Sequence, residues 1–250
     1  MITTHRIPTS RRAAPRALAA IAAVALTALA LSGCVVWPPM ASGPRVEAEH
    51  AVSDDVHALR LETAGDVEVR LGDEPGLTVT APSSVMDRLT VRERDGMLVL
   101  GLTGPGWTSG RVEYVLTVRS FDELVLRGAG DVTADFSDAD RVTVTVDGAG
   151  DVRATGIDAS EVDVTINGAG DVRLAGTADR GTLRVNGAGG IFAEKLELRR
   201  AVAEIRGAAD IRVHATDTLE AAIHGLGDIR VTGSPSITSE LRGLGEIVHD

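Results

Sequence analysis

A five-residue turn, Gly-Ala-Gly-Asp-Val, recurs along this chain at nearly constant spacing, and no other feature constrains the fold as much. It stands intact at Gly128-Ala129-Gly130-Asp131-Val132, at Gly148 to Val152 with Gly150 and Asp151, and at Gly168 to Val172 with Gly170 and Asp171. Altered copies follow at Gly187 to Ile191, at Gly207 to Ile211 with Asp210, at Gly225-Leu226-Gly227-Asp228-Ile229 and at Gly243 to Ile247. A partial copy, Ala64-Gly65-Asp66-Val67, lies upstream. The acidic position falls at 131, 151, 171, 190, 210, 228 and 246, in steps of 20, 20, 19, 20, 18 and 18 residues. A period of this length marks one supersecondary unit stacked on copies of itself.

Between the turns the chain alternates apolar and polar residues, as half-buried strands do. Val142 to Val146, Val162 to Ile166 and Leu219 to Ile223 precede a turn, and Val152-Arg153-Ala154, Val172-Arg173-Leu174, Ile211-Arg212-Val213 and Ile229-Arg230-Val231 follow one. No segment has helical periodicity. Two all-β architectures fit such a unit, a parallel β-helix and an antiparallel meander or barrel. The near-constant period favours the β-helix, because stacked rungs need equal perimeters and hairpins do not. Aromatic residues make up 2% of the chain, and small Val and Ala suit a narrow solenoid interior. Residues 46–120 alternate in the same way but carry the glycine-aspartate signal once. They read either as the start of the solenoid or as a strand-rich cap on it, and residues 121–250 as its regular part. Phe136, Phe192 and Tyr114 are expected in the core. Trp107, in a glycine loop, is expected to be an exposed contact.

The first 33 residues form a leader. Arg6, Arg11, Arg12 and Arg16 make a basic start without acids, Ala17 to Leu31 is apolar, and Leu31-Ser32-Gly33-Cys34 resembles the lipobox of bacterial lipoproteins. Cys34 is the only cysteine, so no intramolecular disulfide can form. The expectation is a mature chain lipidated on Cys34, with palmitate-type acyl chains. It would be held to the extracytoplasmic face of the cell membrane, with a Pro/Gly spacer over 34–45. Losing four leader arginines from 25 Lys+Arg against 36 Asp+Glu leaves a net charge of −15. That surface repels nucleic acid and anionic headgroups, so the anchor has to be the acyl chains.

The repeated turn, the alternating strands and the leader together resemble the GIN-type "putative autotransporter adhesin head" domain of bacterial surface proteins. The resemblance covers about Ala58 to Ile247 and departs from the pattern at Gly190 and Glu246. It implies a right-handed parallel β-helix, exported and often lipid-anchored, and no established reaction.

The glycines of the turn (Gly128, Gly130, Gly148, Gly150, Gly168, Gly170, Gly225, Gly227) supply positive φ or close backbone approach. Its aspartates (Asp131, Asp151, Asp171, Asp210, Asp228) accept nearby N–H groups. Arginine follows two residues after the acid at Arg153, Arg173, Arg212 and Arg230, on the same strand face, so an Asp column beside an Arg column is expected to form an ion ladder. A calcium ladder on Asp131, Asp151 and Asp171 is the alternative. Asn167 and Asn186, one rung apart, are placed to stack as an amide ladder. His214, His224 and His249 lack partners at metal-ligand spacing. No nucleophile motif is present. The expectation is therefore a non-enzymatic structural or interaction domain without a cofactor, whose partner is a surface protein or glycan and not nucleic acid. A polysaccharide lyase or hydrolase on the same scaffold is the alternative, and it would need one rung to differ from the rest.

Overall fold

The computed structural model describes residues 43–104 and 110–249. The leader, Cys34, the spacer up to residue 42 and Trp107 lie outside these residues. The described chain is a β-solenoid. Its one helix among the described residues, α1 (Ser83–Met86), is a single turn, too short for a period to show in the sequence.

Two parallel stacks of strands run the length of the solenoid, one on each side of the glycine turn. The first stack contains, in spatial order, β6 (Met97–Leu102), β2 (Ala58–Leu61), β8 (Glu123–Leu126) and β10 (Arg141–Val146). It continues through the later parts of β11 (Val152–Ile166), β12 (Ala169–Val185), β13 (Ala188–Ile205) and β14 (Ala208–Ile223), and ends with β16 (Ser236–Leu241). The second contains β7 (Glu113–Val118), β3 (Asp66–Leu71), β9 (Val132–Asp135), the early parts of β11 to β14, β15 (Ile229–Gly233) and β17 (Ile247–His249).

Stacking order is not chain order at the first end. The rung made by β2 and β3 lies between the rung of β6 and β7 and the rung of β8 and β9. The chain builds its second rung first, leaves to make the first, and resumes on the far side. Antiparallel strands then close this end. β4 (Gly76–Pro82) pairs with β7, β1 (Arg45–Ala51) pairs with β4, and β5 (Leu89–Arg94) pairs with β6. The β5–β6 connection is a two-residue turn with positive φ at both Asp95 (50°) and Gly96 (76°). That is the turn whose twist suits a hairpin.

Parallel, in-register stacking sends equivalent residues inward in columns. Val132, Val152, Val172, Ile191, Ile211 and Ile229 form one; Val146, Ile166, Val185, Ile205 and Ile223 form another. All are buried, and each buried Val or Ile stabilises by about 1.5–3 kcal/mol. Where a rung lacks bulk, a neighbour fills it: a Cβ on Gly181 would meet Cδ1 of Leu198 at 2.5 Å. Phe121 and Phe136 pack at 5.0 Å near the first end. Tyr114 is 2% exposed and its hydroxyl has no hydrogen-bond partner among the described residues; burial pushes its pKa up.

Candidate functional site

The site is built on the turn that joins the two stacks. Ala64, Ala129, Ala149 and Ala169 pair across successive rungs, as do Ala188, Ala208, Leu226 and Leu244 further along. The N–H of Ala149 donates to the Gly128 carbonyl at 3.0 Å, and the N–H of Gly150 donates to the Ala169 carbonyl at 3.1 Å. The turns are thus hydrogen-bonded on both sides. Glycine is required sterically as well as by φ. Gly170 has φ 149°, and a Cβ there would lie 2.0 Å from the Gly150 carbonyl oxygen.

The repeated acid has one structural task. The N–H of Asp131 donates to Oδ1 of Asp66 at 3.2 Å, that of Asp151 to Asp131 at 3.4 Å, and that of Asp171 to Asp151 at 3.0 Å. The pattern resumes with Asp228 donating to Asp210 and Glu246 to Asp228, both at 3.0 Å. The carboxylates of Asp66, Asp131, Asp151, Asp210 and Asp228 therefore each cap the backbone of the next rung, while that of Asp171, facing the Gly190 rung, binds Arg173. Among the described residues, no three acidic or histidine side chains converge to hold a metal ion.

The expected ion ladder forms only in part. Arg173 bonds Asp171 at 3.0 Å and Asp151 at 3.3 Å. Arg153, Arg212 and Arg230 make no ion pair with any described residue. The aspartates turn toward backbone N–H groups, which draws them away from the arginine column. Four residues before the acid, the amide ladder is present: Asn186 Nδ2 donates to Asn167 Oδ1, and Asn167 Nδ2 to Asp147 Oδ1, both at 2.8 Å. Of the histidines, His249 contacts the Gly233 carbonyl at 2.9 Å and His224 lies 3.7 Å from Glu204.

One rung breaks the pattern. Where its neighbours read Asp171-Val172-Arg173 and Asp210-Ile211-Arg212, it reads Gly190-Ile191-Phe192. The core position expected of Phe192 from its hydrophobicity is not the one it takes: it is half-buried and points outward. The reason is parity: it stands in the arginine register, and Ile191 takes the inward place. Arg173 from the rung before and Arg212 from the rung after each sit 5.1 Å from the ring centroid. The ring folds over Gly190, where a Cβ would meet its Cζ at 2.8 Å. The two replacements are therefore coupled.

Beside this ring the pairing slips by a residue, between Arg173 and Ala175 against β13. The irregularity opens a cleft of about 450 Å³ lined by Arg153, Thr155, Arg173, Ala175, Phe192, Glu194 and Lys195, among others. A smaller hollow of about 210 Å³ continues past Glu194 to Arg212 and Arg230. Lys195 is the only lysine of the chain and has no partner among the described residues. A second hollow, about 440 Å³ near the first end, differs in kind. Its Arg111 is bound to Asp66 at 3.0 Å and to Glu113 at 3.2 Å.

The sequence carried a signal for this cleft that hydrophobicity concealed. Aligning the rungs puts Phe192 under Arg173, and that alignment alone predicts an outward ring.

The family model described as "Putative auto-transporter adhesin, head GIN domain" matches residues 55–235. No curated protein matches the chain. Among solved structures, a "putative adhesin" from Bacteroides fragilis is similar at 24% identity and TM-score 0.80, covering 84% of this chain and 99% of that one. A "putative adhesin" from Parabacteroides distasonis has 18% identity and TM-score 0.63, with 84% and 99% covered. A "putative lipid binding protein" from the same species has 19% identity and TM-score 0.61, with 84% and 98% covered. At these identities the likeness bears on the fold.

Proposed function

The chain belongs to the family of auto-transporter adhesin head GIN domains, and from that premise we propose that it is a non-enzymatic interaction module displayed on the cell surface. One observation carries the reading. The regular array of carboxylates on the wall is engaged with backbone N–H groups of adjacent rungs. Acid–base chemistry needs a carboxylate placed to exchange protons with a substrate, and these are placed to join rungs. Its structural neighbours carry the descriptions "putative adhesin" and "putative lipid binding protein". The basic start, apolar run and Leu31-Ser32-Gly33-Cys34 box support export and lipidation on Cys34, and with them a solenoid displayed outside the cytoplasm on a membrane anchor.

Three measurements test this. Metabolic labelling with a fatty-acid probe should mark the wild-type chain and not Cys34→Ala, and surface protease should digest the wild-type on intact cells. Unchanged labelling of Cys34→Ala overturns the anchor. Cleavage of any polysaccharide by the purified full chain, above the rate in buffer, overturns the non-enzymatic reading.

A further inference from the structure

We propose that the irregular rung and its cleft form a binding site for a linear carboxylated polysaccharide, gripped by Arg153, Lys195, Arg212 and Arg230. This rests on the interaction-module reading and names its ligand class.

The first ground is singularity. A repeat wall presents equivalent side chains at every rung, so a specific site needs a rung that departs from the rest. Here the acid and the arginine are both replaced, at Gly190 and Phe192, beside a corner where this and the flanking rungs slip in register. A cleft opens at that place.

The second ground is charge. The chain is acidic, at −11, and elsewhere its arginines are commonly bound: Arg141 to Glu161, Arg199 to Asp179 and Asp217, Arg206 to Glu204. Around the cleft Arg153, Lys195 and Arg230 are exposed and bound to nothing among the described residues. Arg212 is exposed, stands over the Phe192 ring, and makes no ion pair among the described residues. Dropping the acid at 190 removes one carboxylate from between these cations. Guanidinium forks bind carboxylates bidentately, and the ring holds Arg212 in position.

The third ground is spacing. Arg153, Arg173, Phe192, Arg212 and Arg230 share one register position on successive rungs, about 4.8 Å apart. Cations separated by one to three rungs suit a polymer whose charges are spread along its length. Pyranose units linked end to end advance by about one rung each. Dense phosphates suit the wall less, because Glu194, Asp171 and Asp210 stand among the cations. Those same acceptors, with the Thr155 hydroxyl, receive sugar hydroxyl donors, which a polyglutamate chain lacks.

The test is calorimetric titration of the full chain, purified in detergent, with size-defined galacturonate oligomers and hyaluronan oligomers. At least one acidic series should bind, should weaken with salt, and should lose roughly tenfold or more in affinity on methyl esterification. Arg153→Ala with Lys195→Ala, and separately Arg212→Ala with Arg230→Ala, should each lower affinity by about tenfold while thermal unfolding is unchanged. Gly190→Asp with Phe192→Arg rebuilds a regular rung, returns a carboxylate between the cations, and should weaken binding in a folded protein. Failure of every carboxylated oligomer to bind overturns the proposal. So does equal affinity for the methyl ester, indifference to all three double variants, or tighter binding of polyglutamate or single-stranded DNA. Because the readout is on purified protein, failure here leaves surface display standing, and failed fatty-acid labelling leaves this site standing.

Discussion

At the residue scale, the turn glycines work by contact more than by conformational freedom. A Cβ on Gly170 would approach the Gly150 carbonyl oxygen to 2.0 Å, and a stacked rung has backbone there, not a side chain that can move aside. Gly170→Ala should therefore cost more than about 3 kcal/mol, combining overlap with an unfavourable φ. A small shift in the unfolding midpoint would show that neighbouring rungs separate easily. The equivalent Ala209 is accommodated because its φ is not positive. Tyr114 makes the opposite case. Its hydroxyl is buried without a partner among the described residues, so Tyr114→Phe should be neutral or stabilising. Burial raises its folded pKa above the ordinary value of 10.0. Above that pH the unfolded chain releases a proton that the folded chain retains, so stability should fall as pH rises past about 10. Tyr114→Phe should remove that part of the alkaline loss. Parallel slopes for variant and wild type between pH 9 and 11 would refute it.

At the element scale, the aspartates join rung to rung. Asp151 accepts the Asp171 N–H and also bonds Arg173. Asp151→Ala strands that N–H and should cost about 1–2 kcal/mol. Asp151→Asn keeps an oxygen acceptor and should cost less than about 1 kcal/mol, since an exposed pair with Arg173 contributes little. Equal losses in urea unfolding would mean that charge, not capping, is what the position supplies. The same comparison shows what was legible beforehand. The turn role of the acid follows from local chemistry, because an Asp beside glycines seeks N–H donors. Which donor it finds is decided by the neighbouring rung. Hence the predicted ion ladder shrinks to Arg173 with Asp171 and Asp151: three arginines lose their expected partners to backbone.

At the scale of the whole molecule, the two ends differ. β1, β4 and β5 cover the first end with antiparallel strands, while β16 is largely exposed, β17 is half-buried, and each pairs on one side among the described residues. Solenoid stability passes between neighbouring rungs. Amides of β16 and β17 should exchange first, and those of β12 and β13 near the global unfolding free energy. Uniform protection along the stack would indicate one all-or-none unit.

The amino-acid order alone determined the rung. The 18–20-residue period, the glycine at each close approach and the two-residue alternation are local demands, met within one repeat and therefore written there. Tertiary structure decided what depends on distant neighbours. The 65-residue interval from Asp66 to Asp131 is closed by a hydrogen bond at 3.2 Å, and no periodicity announces it. The rung of β6 and β7 slides in beside β2 and β3 because stacked backbones need partners on their free edge, whatever their order in the chain. Phe192 faces outward because register outweighs hydrophobicity: with Ile191 held inward by the strand, the next side chain has only the surface.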